Sequence, residues 1–211
     1  MKGFYFVTDT RLSRAGIISD VRNALTAGVE VVQYRNKEAC SLDLYAEARE
    51  LRRLCRKVIF LVNDRIDIAL AVGADGVHLG QDDLPYWPAR KILGKKKIIG
   101  LTVHSLAEAK SAKRLGADYL GVSPVFTTRT KADAGRPVGI KLIEQIKKKV
   151  SIPVIAIGGI NLANAEAVIH AGADGLCAIS AVVGYPDVKK RINEFQRLFR
   201  IYICLFCLFL V

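Results

Sequence analysis

Chemistry-bearing residues collect in short polar clusters, each closing an apolar run. The first is Gln33-Tyr34-Arg35-Asn36-Lys37. In extended chain, side chains alternate, so Gln33, Arg35 and Lys37 project to one side. Arg and Lys so placed can neutralise phosphate oxygens, the guanidinium in bidentate fashion; the plainer reading is a surface strand end with solvated cations. Asn63-Asp64 closes a second run, and His78-Leu79-Gly80-Gln81-Asp82-Asp83 a third. Carboxylates from two neighbouring ends can hold one Mg2+, an ion that takes few protein carboxylates and completes its shell with water and phosphate oxygens. Asp64 and Asp82 could instead cap helices, but capping leaves unexplained why acidic ends lie beside Arg35 and Lys37. In Leu101-Thr102-Val103-His104, His104 suits a general base, yet a structural donor fits equally well. His78 reads as a core strand residue. Thr127-Thr128-Arg129-Thr130-Lys131 combines hydroxyls and cations into a cradle for phosphate and a closing flap.

The elements that must carry these clusters follow from a repeated phrase. Ala27-Gly28-Val29-Glu30, Gly73-Ala74-Asp75-Gly76, Gly116-Ala117-Asp118-Tyr119 and Gly172-Ala173-Asp174-Gly175 each lead into a short apolar run. Their first glycines lie 45, 43 and 56 residues apart. A glycine in the left-handed conformation ends a helix, the small residue lets the chain turn under a sheet, and a buried strand follows. About 45 residues hold two βα units, so four phrases imply eight strands. The alternate strands are residues 4–9, 58–64, 98–103 and 153–159. Helical patterns fill the gaps at Leu42 to Cys55, Leu106 to Leu115 and Val188 to Phe199. The reading is a single (β/α)8 TIM barrel over residues 1–200, with an apolar tail, residues 201–211, of unassigned role.

A barrel turns the C-terminal ends of all its strands toward one site. The last interval is long because of residues 126–139, where a barrel puts substrate contacts or a lid. Gly158-Gly159-Ile160-Asn161 after strand seven, with Ala178-Ile179-Ser180-Ala181 after strand eight, suits a metal-free phosphate site. The rim then offers two anion sites, one with a metal and one without, and the Thr-Lys loop hangs between them. That suits joining two phosphorylated substrates with diphosphate leaving.

Bulk properties agree. The 211 residues carry 32 Lys+Arg against 20 Asp+Glu, a formal charge of +12, which favours anionic partners. The basic runs Lys95-Lys96-Lys97, Lys147-Lys148-Lys149 and Lys189-Lys190-Arg191 are short and scattered, so they read as solvated faces and not as a nucleic-acid surface. The five cysteines and the direct start into a strand predict a cytoplasmic protein. Cys204-x-x-Cys207 is a poor zinc site without a second pair. The apolar tail is too short for a transmembrane helix, which needs about 20 residues. Homo-oligomerisation stays open.

Taken in order, residues 33–37, 63–64, 78–83, 127–131, 158–160 and 178–180 resemble the thiamine-phosphate synthase family, over roughly residues 3–200. The resemblance implies condensation of 4-amino-2-methyl-5-hydroxymethylpyrimidine diphosphate with 4-methyl-5-(2-hydroxyethyl)thiazole phosphate. Carried over by position, Gln33, Tyr34, Arg35, Asn36, Lys37, Asn63, Thr102 and Lys131 would contact the pyrimidine diphosphate. Asp64 and Asp83 would bind Mg2+. Thr128, Arg129, Thr130, Gly159, Ile179 and Ser180 would hold the thiazole phosphate. Arg35, Lys37 and Lys131 would stabilise the departing diphosphate, with no protein nucleophile. Thr102 stands where the family often has Ser. A thiazole tautomerase relative carries a strand-six histidine, and that position here is Pro124. A non-catalytic barrel binding a phosphorylated ligand is the reading from another class.

Overall fold

Eight runs of three to six residues form parallel strands, β1 (Gly3–Val7), β2 (Val31–Tyr34), β3 (Ile59–Asn63), β4 (Gly76–Leu79), β5 (Ile98–Val103), β6 (Tyr119–Val122), β7 (Val154–Ile157) and β8 (Gly175–Cys177). They close in sequence order, β1 pairing with β8 through Gly3 opposite Gly175 and Phe4 opposite Leu176. The computed structural model describes residues 1–130 and 135–208, with side chains described as far as residue 201. The helices are α1 (Ile17–Thr26), α2 (Ser41–Leu54), α3 (Ile66–Ala71), α4 (Tyr86–Leu93), α5 (Leu106–Leu115), α6 (Ile140–Lys149), α7 (Ala165–His170), α8 (Ser180–Val183) and α9 (Val188–Leu208). The sequence-predicted barrel is therefore the observed architecture. The backbone of α9 runs on into the apolar tail as far as Leu208. Cys204 and Cys207 lie on that stretch, their side chains outside those described.

Strand alternation divides the apolar residues into two layers. Phe4 and Phe6 point out to the helices, where Phe4 meets Phe195 of α9 at 5.2 Å between ring centroids. Tyr5 and Val7 point into the lumen with Val31, Leu61, Tyr119, Ile155 and Cys177. Burial on both faces is what makes each strand a nearly continuous apolar run.

The repeated phrase has a second job that the sequence reading did not see. All four of its glycines have positive φ, as expected (66° to 96°). The aspartate two residues later is a clamp. Asp75 accepts the Phe60 N–H at 2.8 Å and pairs with Arg52. Asp118 accepts the Ile99 N–H at 2.8 Å and pairs with Arg90, and Asp174 accepts the Val154 N–H at 2.8 Å and pairs with Lys147. Each clamp ties a helix end and a strand start together at the N-terminal face, the face of a barrel that serves stability.

Candidate active site

The strand ends surround a cavity that is open to solvent. Gln33, Arg35 and Lys37 all line it, as alternation predicts. Tyr34 and Asn36 turn the other way for the same reason. The Tyr34 hydroxyl donates to Glu47 of α2 at 2.6 Å, and the Asn36 amide donates to the same carboxylate at 3.1 Å. Of the residues carried over as a block, those two are outside the cavity wall. Arg129 is exposed and off the wall, whereas Thr128 and Thr130 are on it. Lys131 lies outside the described residues.

Arg35 is held by a residue that sequence reasoning passed over. Asp9, just past β1, has a side chain only 1% exposed, and its Oδ2 sits 3.1 Å from Arg35 Nη1. Its Oδ1 accepts the N–H groups of Arg11 and Leu12, each at 3.2 Å. The Thr8 hydroxyl accepts the Arg35 N–H at 2.9 Å and donates to the Arg35 carbonyl at 3.2 Å. The guanidinium is thus aimed before any ligand arrives. An aspartate at the end of an apolar strand is the signal that could have revealed it.

The acidic pair is also built in. Asp64 has φ 61°, the sole positive φ outside glycine among the described residues. Its N–H continues the ladder to the His78 carbonyl at 2.9 Å, while the Arg65 N–H closes back on the Asn63 carbonyl at 2.7 Å. This tight turn throws the Asp64 carboxylate over the cavity, where Lys37 Nζ meets it at 2.7 Å. Left-handed geometry is costly for a residue with a side chain, and such strain concentrates at functional sites. Asp83 reaches the cavity because its Oδ2 accepts the Gly80 N–H at 2.6 Å, curling the β4–α4 loop inward. Asp82 is exposed and does not line the cavity. Neither Asp64 nor Asp82 caps a helix, since the N-cap positions of α3 and α4 are Arg65 and Pro85 and neither helix has a side-chain cap.

Burial holds the Asp83 carboxyl above the ordinary range, and the Asp64 carboxylate beside it pushes further the same way. Two hard carboxylates this close suit a divalent cation that neutralises both. Among the described residues no three His, Cys, Asp or Glu converge. A two-carboxylate set fits Mg2+, which fills its remaining positions with water and phosphate oxygens, better than it fits Zn2+.

The opposite wall is backbone and hydroxyl. Gly158, Gly159, Ile160, Ala178, Ile179 and Ser180 line it with Thr128 and Thr130. Gly159 has φ 65°, and a Cβ there would lie 2.5 Å from the Thr127 carbonyl oxygen, so only glycine lets β7 and the β6–α6 loop approach. That loop is pinned by Val125 N–H to Ile157 O at 2.9 Å and Phe126 N–H to Gly158 O at 3.0 Å. From across the mouth, Arg11 donates to the Thr130 carbonyl at 3.0 Å.

His104 is exposed and spends its ring on the Ser123 carbonyl, tying β5 to β6, so it is a structural donor. Pro124 is buried. Cys177 faces the cavity, but burial pushes its thiol up, so it stays protonated at neutral pH. On the floor, Asn63, Thr102 and His78 line the cavity with Tyr5 and Tyr119. His78, read from sequence as core, is a lumen residue whose ring meets Tyr119 and Thr102.

A family model described as thiamine monophosphate synthase matches residues 4–182. The thiamine-phosphate synthase of Methanosarcina barkeri is 53% identical over 198 residues, covering 93% of this chain and 90% of the relative. That of Pyrococcus abyssi is 46% identical, covering 92% and 93%. The solved thiamine phosphate pyrophosphorylase of Pyrococcus furiosus superposes with a TM-score of 0.87 at 43% identity, over 94% of this chain and 96% of that one.

Proposed function

The chain belongs to the thiamine monophosphate synthase family, and on that premise we propose how its rim makes thiamine phosphate from a pyrimidine diphosphate and a thiazole phosphate. It is a transferase of thiamine biosynthesis. The observation that supports the reading best is that Arg35, Lys37, Asp64 and Asp83 share one cavity with Gly159, Ile179 and Ser180. One wall suits a diphosphate and a cation, and the other a single phosphate.

The pyrimidine would lie over Gln33, Asn63 and Thr102, with its diphosphate against Arg35 and Lys37. Asp64 and Asp83 would hold Mg2+, which when bound neutralises diphosphate charge. Arg35 and Lys37 stabilise the charge that grows as the carbon–oxygen bond to diphosphate breaks. Lys131 would join them from the β6–α6 loop. Thr128, Thr130 and the backbone at Gly159 and Ser180 would orient the thiazole phosphate so that its ring nitrogen faces the exposed carbon. The ring nitrogen supplies the attacking pair, so no side chain needs to act as a nucleophile.

Asp64→Ala and Asp83→Ala are each expected to lose Mg2+-dependent turnover, and unchanged activity in both removes the metal assignment. Lys131→Ala should lower kcat more than it raises the KM for thiazole phosphate. A pure binding defect would end its leaving-group role.

A further inference from the structure

On the cavity floor, five side chains, one from each of five strands, form one unbroken hydrogen-bonded chain. The Gln33 amide donates to the Tyr5 hydroxyl at 2.7 Å. Tyr5 and Tyr119 hydroxyls are 2.8 Å apart. His78 Nδ1 lies 2.8 Å from the Tyr119 hydroxyl, and His78 Nε2 lies 2.9 Å from the Thr102 hydroxyl. The sequence makes room for it: a Cβ on Gly100 would sit 2.1 Å from the Tyr119 ring, and one on Gly121 would sit 2.8 Å from the His78 ring. All five line the cavity, with Gln33 and Thr102 as the two ends of the chain.

With the Gln33 amide nitrogen toward Tyr5, one direction of this chain gives every buried O–H an acceptor within it. Burial pushes both phenols above their ordinary range, so each carries one proton at neutral pH. Tyr5 accepts from Gln33 and therefore gives its proton to Tyr119. Tyr119 must then give its own to His78 Nδ1, which leaves the imidazole proton on Nε2 for Thr102. The Thr102 hydroxyl has its proton left to offer the cavity, and Gln33 offers its carbonyl. Reversing one link reverses all of them, including the Gln33 amide and the imidazole tautomer. Buried chains of this kind reinforce one another bond by bond.

We propose that the Gln33–Tyr5–Tyr119–His78–Thr102 chain determines base specificity, making Gln33 an acceptor and Thr102 a donor so that the site takes an aminopyrimidine over its 4-oxo counterpart. The proposal rests on the synthase reading and deepens it. An amine meets the Gln33 carbonyl and a ring nitrogen meets the Thr102 hydroxyl. A 4-oxo ring presents a carbonyl and an N–H in their place, and it fits only if every link turns over. Tyr5, Tyr119 and His78 act through the two ends and are positioning residues.

The test has two arms. The chain has three histidines, so 15N-histidine spectra of the protein with pyrimidine diphosphate and Mg2+, without the thiazole, can resolve His78. The expected state is the neutral Nε2–H tautomer; a proton on Nδ1 overturns the direction assigned. In the second arm, kcat/KM is measured for the 4-amino and 4-oxo pyrimidine diphosphates with wild type, Tyr119→Phe and Tyr5→Phe. Each variant is expected to lower the amino-to-oxo ratio about tenfold while leaving the KM for thiazole phosphate unchanged, the scale of losing one buried hydrogen bond. If one variant fails to fold, the other carries the comparison. A wild type that makes no thiamine phosphate overturns the parent reading, whereas an active wild type whose ratio neither variant changes overturns this proposal alone.

Discussion

Asp9 offers the most quantitative handle on the site. Its carboxylate is 1% exposed and pairs with an Arg35 side chain 13% exposed, while also accepting two backbone N–H groups. Asp9→Ala leaves a largely buried guanidinium without its counter-charge, which costs about 3–5 kcal/mol. Asp9→Asn keeps an oxygen for Arg11 and Leu12 and loses only the charged contact, about 1.5–3 kcal/mol. For a chain of 211 residues, each kcal/mol is worth roughly 2–4 °C in Tm. Asp9→Ala should therefore melt about 6–20 °C below wild type, with Asp9→Asn between them. Arg35 also loses its aim, so both variants should raise the KM for pyrimidine diphosphate and leave that for thiazole phosphate unchanged. Calorimetric melts and initial-rate kinetics read both effects. Melting within 1 °C of wild type, with both KM values unmoved, would refute the claim that Asp9 carries Arg35.

Asp174→Ala removes a clamp at the opposite face, so it should cost about 1–3 kcal/mol in urea melts with kcat/KM unchanged; a kinetic defect would contradict the division of labour between faces. Gly159→Ala forces a side chain to φ 65° and against the Thr127 carbonyl, so it should destabilise the protein and weaken thiazole phosphate binding in titration calorimetry. Asp83 holds its proton to higher pH than an ordinary carboxyl. Its ionisation therefore opposes folding: the stability it contributes in the metal-free protein is present at low pH and is lost as pH rises through its folded value. Mg2+ needs the ionised form, so apparent Mg2+ affinity should fall on acidification before an ordinary carboxyl would protonate. Asp83→Asn should cut Mg2+-dependent turnover by about a hundredfold or more and remove that pH dependence.

Much of the fold was legible because one physical event repeats. Each helix that ends on a left-handed glycine announces the buried strand after it, and all four such glycines have positive φ. The site was legible wherever strand alternation could be applied. It places Gln33, Arg35 and Lys37 on the cavity, and the same rule sends Tyr34 and Asn36 to Glu47, which a block carried over by position ignores. What stayed hidden depends on partners distant in sequence. Tyr5 and Tyr119 are 114 residues apart, and His78 and Tyr119 are 41 apart. In the sequence these were ordinary strand residues. Asp9 was hidden for the same reason, since Arg35 lies 26 residues on.

Diphosphate release by the purified protein, with both substrates present and with or without Mg2+, tests the central claim most directly. The account predicts release only with Mg2+, matched mole for mole by thiamine phosphate. Equal turnover in the presence of a chelator would contradict the role given to Asp64 and Asp83, and a folded protein that releases no diphosphate under either condition would contradict the synthase reading itself.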